Sequence, residues 1–137
     1  MRVLVDTSIW SLALRKKTKT VEEELIVQQL SKLIRKLHVV MIGPTRQELL
    51  SGVSEKQRFE LLKETISVFP DFETTTADYE TAARFYNECR QNGIQGSHID
   101  FLIGAIASNN DFAIFTLDKD FQNYWRFIAI QLVKVEN

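Results

Sequence analysis

Short, unbroken apolar runs alternate along this chain with segments in which apolar residues recur at helical spacing. We predict strands at 2–5, 38–42, 72–75, 113–117 and 128–135. We predict helices at 8–15, 21–37, 45–51, 55–68, 78–91, 99–108 and 121–126. Strands without polar alternation are typical of parallel sheets that are covered on both faces. The sequence therefore predicts an α/β fold, with a mostly parallel central sheet of about five strands flanked by helices on both faces.

The length and composition are those of one ordinary globular domain. The chain has 137 residues, of which 45% are hydrophobic and 26% charged, so it can bury a real core. With 5 Gly and 2 Pro it leaves little room for a linker, and we expect a single domain spanning 1–137. The net charge of −1 gives no global basic signature, so any contact with a polyanion must rest on local positive charge.

The single cysteine and the short apolar runs bear on where the protein works. Cys89 stands alone, which excludes an intrachain disulfide and a cysteine-based metal cluster and fits a reducing cytosol. The first apolar run ends at Asp6 and is too short for the hydrophobic part of a signal peptide. No stretch approaches the roughly 18 apolar residues of a membrane span. We expect a cytoplasmic protein without a membrane segment.

Four acidic residues stand where an apolar run gives way to a helix. Asp6 follows the first predicted strand, Glu48 the second and Asp118 the fourth, and Asp100 lies at the start of the helix before that fourth strand. The carboxyl ends of parallel strands share one edge of a sheet, so these acids would meet in one crevice. Carboxylates that close repel one another unless a cation joins them. Oxygen-only ligation suits a hard ion such as Mg²⁺ or Mn²⁺.

Each acid taken alone also fits a structural role at the start of a helix. Thr45 and Glu48 have the spacing of a capping box, and an aspartate version of the same pattern begins at Ser97. Asp6 and Asp118 fit N-cap positions. Capping does not require the acids to share one rim of a sheet, and the first turn of a helix also helps a carboxylate to stay ionised for a metal. The two roles can therefore coexist.

Four segments, in order, resemble the PIN-domain ribonuclease family and, within it, the VapC-type toxins of prokaryotic toxin–antitoxin systems. The segments are 5–10 (VDTSIW), 44–52 (PTRQELLSG), 93–107 (GIQGSHIDFLIGAIA) and 115–121 (FTLDKDF). Each carries one of the four acids, and from the first to the last they span residues 5–121, which is most of the chain. No single segment is specific, but four in order at fitting spacing make a strong signal. The resemblance implies a PIN-like fold.

The same resemblance implies a division of labour among the acids, all four of which would be catalytic. Asp6, Asp100 and Asp118 would be metal ligands. Glu48 would complete the acidic site, either by direct ligation or through water. Asp120 would hold a second metal or only a water molecule, and the sequence leaves both open.

Two hydroxyl residues and a basic loop are candidate substrate-binding groups. Ser8 and Thr116 could hydrogen-bond the carboxylates or a phosphate, or could serve only in the turns at strand ends. Arg15, Lys16 and Lys17 stand in an exposed basic loop. They could contact an RNA backbone or could simply be solvated surface charge.

The activity implied by the resemblance is hydrolysis of RNA phosphodiester bonds with Mg²⁺ or Mn²⁺ and without a covalent nucleophile. A metal-bound water would attack phosphorus in line while the metal stabilises the developing charge. The resemblance also implies a cognate antitoxin protein that inserts a basic residue, an Arg in our prediction, into the acidic site. We further expect a homodimer, because the helices that begin at Val21 and Glu55 offer more apolar surface than a small sheet covers.

Other functions share part of this pattern. A free-standing PIN nuclease in RNA processing would have the same site without an antitoxin, and a PIN fold without catalysis would serve as an RNA-binding or assembly module. A non-catalytic, receiver-like signalling module would also bind Mg²⁺, but it needs clustered acids after the first strand, where this chain has Asp6 alone. A phosphatase of the haloacid dehalogenase type needs a second Asp where Ser8 stands. A dinucleotide-binding domain needs a glycine-rich first turn, which is missing.

Overall fold

A computed structural model of the chain describes residues 1–135, in which five strands form one sheet. The strands are β1 Val3–Val5, β2 Val39–Ile42, β3 Asp71–Phe72, β4 Ala113–Phe115 and β5 Gln131–Leu132. Their order is β3-β2-β1-β4-β5, and every neighbouring pair is parallel. The predicted α/β architecture with about five strands is confirmed. The order differs from the 2-1-3-4-5 order of receiver-type domains, so the receiver alternative is wrong.

Seven helices lie between the strands of the described part of the chain. They are α1 Thr7–Leu14, α2 Val21–Arg35, α3 Gly43–Ser51, α4 Lys56–Ile66, α5 Thr76–Gln91, α6 His98–Asn110 and α7 Asp120–Trp125. Each matches a helix predicted from apolar spacing, with ends that differ by a few residues, as helix ends commonly do.

The two outer strands are shorter than the predicted runs 72–75 and 128–135. Thr75 cannot continue β3, because its side chain caps α5 by accepting a hydrogen bond from the Asp78 amide. At the other edge, β5 pairs with β4 over two residues, and one further backbone bond joins Val133 N to the Ile114 carbonyl at 2.9 Å. Capping and edge position therefore shorten runs that β-branched composition alone makes look like longer strands.

The core is divided by the sheet into two layers, and the central strand β1 contributes to both. Leu4 packs in the layer that is closed by α5, α6 and α7. Val3 and Val5 point the opposite way and pack in the layer closed by α1, α2 and α3. This alternation follows from the pleat of a strand, and it explains why β1 is apolar at every position. Cys89 of α5 is fully buried in the first of these layers.

The strand order places a topological switch point at the centre of the sheet. From β1 the chain moves outward through β2 to β3, and it returns to the opposite side of β1 with β4. In open α/β sheets the crevice at the carboxyl ends of such a strand pair is where ligands bind. None of the helices within residues 1–135 is both long and apolar enough to cross a membrane.

Candidate metal centre

The acidic residues after β1 and β4 lie at the switch point. Asp6 follows directly on Val5, and its backbone amide donates to the Phe115 carbonyl at the end of β4, at 2.9 Å. Asp118 comes three residues after the end of β4. Its Oδ1 atom accepts a hydrogen bond at 2.9 Å from the Asp120 amide, which starts α7. The parallel pairing of β1 and β4 thus brings together acids that are more than a hundred residues apart in sequence.

Asp100 reaches the same edge from the first turn of α6. Ser97 is the N-cap of that helix, and its side chain accepts a hydrogen bond from the Asp100 amide at 3.0 Å. The Asp100 carboxylate accepts a hydrogen bond from the Tyr124 hydroxyl, at 2.8 Å. Ser97 therefore caps the helix, but only this half of the predicted aspartate capping box is formed, and the Asp100 side chain contacts Tyr124.

Asp100, Asp118 and Asp120 form the acidic cluster of this structure. One carboxylate oxygen from each lies within 4.8 Å of the others, so the three could hold one cation. A donor set made only of carboxylate oxygens fits a hard divalent ion such as Mg²⁺ or Mn²⁺ and does not favour Zn²⁺ or copper, which prefer nitrogen and sulfur. The predicted grouping of Asp100 with Asp118 is present, and Asp120 lies close enough to be a direct ligand.

Asp6 stands beside this cluster, held by hydroxyl groups. Its Oδ2 atom accepts hydrogen bonds from Ser8 Oγ at 2.9 Å and from Thr116 Oγ1 at 2.8 Å. The same hydroxyl oxygens accept bonds in turn, Ser8 from the Leu117 amide and Thr116 from the Asp118 amide. The two hydroxyls thus hydrogen-bond the Asp6 carboxylate and connect it to the backbone of the segment after β4. Asp6 occupies the N-cap position of α1 but makes no side-chain capping bond there.

The electrostatics of Asp100 reflect its place at the inner wall of the site. Burial raises the pKa of its carboxyl above the ordinary aspartate value, and the nearby charges of Asp118 and Asp6 raise it further. The hydrogen bonds from Tyr124 and Ser97 oppose these effects, because they stabilise the carboxylate. Burial and the hydrogen bond to Asp100 likewise raise the pKa of Tyr124, so this phenol stays protonated. A bound cation would relieve the repulsion that burial and neighbouring charge create.

Glu48 lies away from the three-carboxylate cluster. The helix α3 begins at Gly43, directly after β2, and its N-cap is Ile42, which makes no side-chain capping bond. The predicted capping box between Thr45 and Glu48 is therefore wrong, since both residues lie inside the helix. Glu48 is exposed in the second turn of α3, where it lines a groove between α1, α3 and α4.

That groove contains part of the predicted basic loop. It has a volume of about 440 Å³ and is bordered by the side chains of Arg15 and Lys16. Arg15 pairs with Glu23 at 2.7 Å, so some of its charge is already neutralised within the fold. Lys16 and Lys17 are exposed in the loop between α1 and α2.

Tyr124 is a site residue that sequence analysis did not single out. It lies four residues after Asp120 on α7, which places both on one face of the helix. That spacing was visible in the sequence. The partner of the hydroxyl, Asp100 on another helix, could be found only from the packing of α6 against α7.

Comparison with known proteins identifies the family and supports the fold. The model of the PIN domain family matches residues 3–125. The FitAcB structure from Neisseria gonorrhoeae contains a chain that aligns with a TM-score of 0.74 at 20% identity, over 96% of each chain. A chain of VapBC2 from Rickettsia felis, bound to a promoter DNA fragment, aligns with a TM-score of 0.78 at 18% identity, over 97% of this chain and 98% of that one. DNA-bound VapBC from Salmonella typhimurium gives 0.72 at 14% identity, over 97% of each chain.

These comparisons carry different weight. The structural likeness, at identities this low, shows the fold, and no curated protein sequence matches the chain. The family match covers most of the chain, and PIN domains are a family of nucleases, so it supports a hydrolase at that coarse level.

Proposed function

Because the chain belongs to the PIN domain family, we propose that it is a divalent-metal-dependent ribonuclease and the toxin of a toxin–antitoxin pair. The observation that carries the proposal is the cluster of Asp100, Asp118 and Asp120, whose ligand oxygens lie within 4.8 Å of one another at the switch point of the sheet. Three carboxylates this close are costly unless a cation is bound, since none of the three forms an ion pair with a basic side chain among residues 1–135.

The residues of the site then have separate tasks. Asp100, Asp118 and Asp120 hold Mg²⁺ or Mn²⁺, which when bound lowers the pKa of a water molecule and stabilises charge on the phosphate. Asp6, oriented by Ser8 and Thr116, adds negative charge beside the cluster and completes the set of catalytic acids. Ser8 and Thr116 act through Asp6, since both hydroxyls already donate to its carboxylate. Glu48 lies outside the cluster and would contact a bound metal only through a water molecule.

The substrate in this proposal is RNA, and its backbone lies along the basic loop. Lys16 and Lys17 are exposed beside the end of α1, which also carries Ser8 at its other end. Contacts of this kind with phosphates are independent of sequence and weaken as salt rises. Arg15 contributes less than the lysines, because its ion pair with Glu23 must be weakened first.

The partner in this proposal is a small antitoxin protein with a basic side chain. The similar chains come from FitAcB and from two VapBC complexes, which supports a partner for this chain. The groove between α1, α3 and α4 joins apolar walls to the exposed Glu48, so a partner segment could lie there and direct an Arg toward the acidic site. Such an Arg would compete with metal for the same carboxylate oxygens.

We also propose a homodimer. The exposed apolar side chains include Val21 on α2, at 74% exposure. The face between α5 and α6 adds Tyr79 and Ile99, so apolar surface is available on both sides of the molecule.

The test is RNA cleavage by the purified chain in chelator and in Mg²⁺ or Mn²⁺. We expect EDTA to abolish cleavage and either metal to restore it, and Asp6→Asn to lower the rate by about two orders of magnitude or more. Glu80→Gln, which removes an exposed carboxylate on α5, is the matched control and should cleave like the wild type. Full cleavage by metal-free protein in EDTA would refute the proposed mechanism.

The second candidate function is a free-standing PIN nuclease, which the same site supports equally. Expression in the native host separates the two. A growth defect when the chain is induced alone, and a small protein that co-purifies with it, support the toxin. Cleavage activity without either result supports the free-standing enzyme.

A further inference from the structure

A buried hydroxyl group forms part of the wall of the acidic cluster. Tyr124 is 1% exposed, and its Oη atom donates to Asp100 Oδ2 at 2.8 Å. It lies on α7, the same short helix that begins with Asp120. One helix therefore carries a carboxylate of the cluster and, one turn later, the hydroxyl that contacts a second carboxylate.

The ring of Tyr124 has little freedom to move. It packs against Phe101 with ring centroids 4.8 Å apart, and against Phe121 in an edge-to-face contact at 5.3 Å. Both phenylalanines are 1% exposed, so a rotation of Tyr124 would need the surrounding core to shift. The hydroxyl is consequently held at one position relative to α6.

The backbone at Gly96 closes the space over that hydroxyl. A Cβ atom at position 96 would lie 2.5 Å from Tyr124 Oη and 2.7 Å from the Phe101 ring, closer than real Cβ contacts come. A side chain at position 96 is therefore excluded unless Tyr124 or Phe101 moves. The segment before α6 thus packs directly against the Tyr124 hydroxyl and limits its movement.

We propose that Tyr124 is a positioning residue, which fixes the Asp100 carboxylate in the orientation that metal binding requires. The torsion that rotates an aspartate carboxylate has a broad energy profile, so packing of the backbone alone does not set it. A hydrogen bond from a donor that the core holds in place restricts this torsion, and the carboxylate still has free lone pairs for a cation. The close approach of Gly96 is what keeps that donor in place. This inference rests on the proposed metal site.

The test is Mn²⁺ binding to the full chain, measured by electron paramagnetic resonance of the free ion. We expect Tyr124→Phe to fold with a native circular dichroism spectrum and to bind Mn²⁺ about 10-fold to 100-fold more weakly, as is typical when a group that orients a ligand is removed. Tyr86→Phe is the matched control. It loses the same hydroxyl from a ring that also packs against Phe101, at 5.6 Å, but the Tyr86 ring stacks on His98 rather than facing the cluster. The control should bind Mn²⁺ like the wild type.

Gly96→Ala provides a second, independent perturbation, because it displaces the hydroxyl without removing it. We expect weaker Mn²⁺ binding in this variant as well. In the Gly96→Ala, Tyr124→Phe double variant, the factor by which Mn²⁺ affinity falls should be smaller than the product of the factors for the two single variants. Both changes act on the same hydrogen bond.

The outcomes separate this inference from the proposed function. Wild-type protein that binds no Mn²⁺ refutes the metal site itself. Wild-type binding together with unchanged binding by folded Tyr124→Phe refutes the positioning role alone. Equal weakening in Tyr124→Phe and Tyr86→Phe also refutes it, because the effect would then belong to the loss of any nearby hydroxyl.

Discussion

Replacing Asp100 by Asn should stabilise the folded protein when no metal is present and destabilise it, relative to wild type, when metal is bound. In the metal-free protein Asp100 faces two carboxylates within 4.8 Å. At that distance two unit charges repel by about 1 kcal/mol in a fully aqueous dielectric, and by about 3 kcal/mol at an effective dielectric of about 20. Asp120 is exposed, so the lower figure applies, and removing one charge relieves about 2 kcal/mol in total.

Part of this gain is lost again at the hydrogen bond from Tyr124. The Asn side chain still offers an oxygen to that hydroxyl, but a neutral acceptor is weaker than a carboxylate by about 1 kcal/mol. The net gain for Asp100→Asn in EDTA is then about 1 kcal/mol. For a chain of this length it corresponds to a melting temperature higher by roughly 4 °C.

With Mg²⁺ the order should invert. A ligand at a hundred times its dissociation constant stabilises the folded state by about 2.7 kcal/mol, and the variant loses most of this term with its ligand oxygen. The assay is thermal unfolding of wild type, Asp100→Asn and the Glu80→Gln control, in EDTA and across a Mg²⁺ series. If Asp100→Asn is less stable than wild type in EDTA, or if Mg²⁺ stabilises both equally, the account of the cluster as a repulsive metal site is wrong.

Three further predictions concern pH, the partner and assembly. Because burial raises the pKa of Asp100, its neutral form contributes metal-free stability that is full below the ordinary value of 3.8 and is lost as pH rises through the raised pKa. Mn²⁺ binding, which needs the carboxylate, should weaken as pH falls through that same range. An affinity that does not change between about pH 4 and 7 would contradict this. When the Arg that an antitoxin partner inserts into the acidic site is changed to Ala, the partner should inhibit less but remain bound in pull-down measurements, since its apolar contacts are kept. Complete loss of binding would contradict the groove as a docking surface. Light scattering should give about twice the chain mass of 15.9 kDa, and about 16 kDa at micromolar concentration would contradict the homodimer.

The inner strands were predictable from sequence because they are buried on both faces. β1, β2 and β4 are unbroken apolar runs of 3, 4 and 3 residues, and their shortness favours buried strands over helices. The predicted outer strands were too long because β-branched residues also occur beyond the point where the strands stop pairing. At 75 the competing role was helix capping, which the sequence signals only through the Asp three residues later.

The candidate site was predictable as a meeting of strand ends but not as a set of contacts. A parallel sheet was enough to expect Asp6 and Asp118 at the same edge, and the structure adds that β1 and β4 are neighbouring strands. The position of Glu48 was not, because it depends on where α3 starts. That helix begins immediately after β2, so Glu48 comes in the second turn and faces the groove. The contact between Tyr124 and Asp100 depends on the packing of two helices, which no local pattern encodes.

Because Cys89 is buried, the rate at which it is alkylated reports local unfolding of the protein around it. Burial and the neighbouring charge of Glu88 raise the pKa of the thiol, so the native state offers an alkylating reagent almost no thiolate. Labelling then requires α5 to separate from α6, the helix that carries Asp100. Since the chain has one cysteine, each labelled molecule records one such event as a single mass increment. The labelling rate therefore measures the local unfolding free energy of the face behind the acidic cluster, with and without a divalent ion.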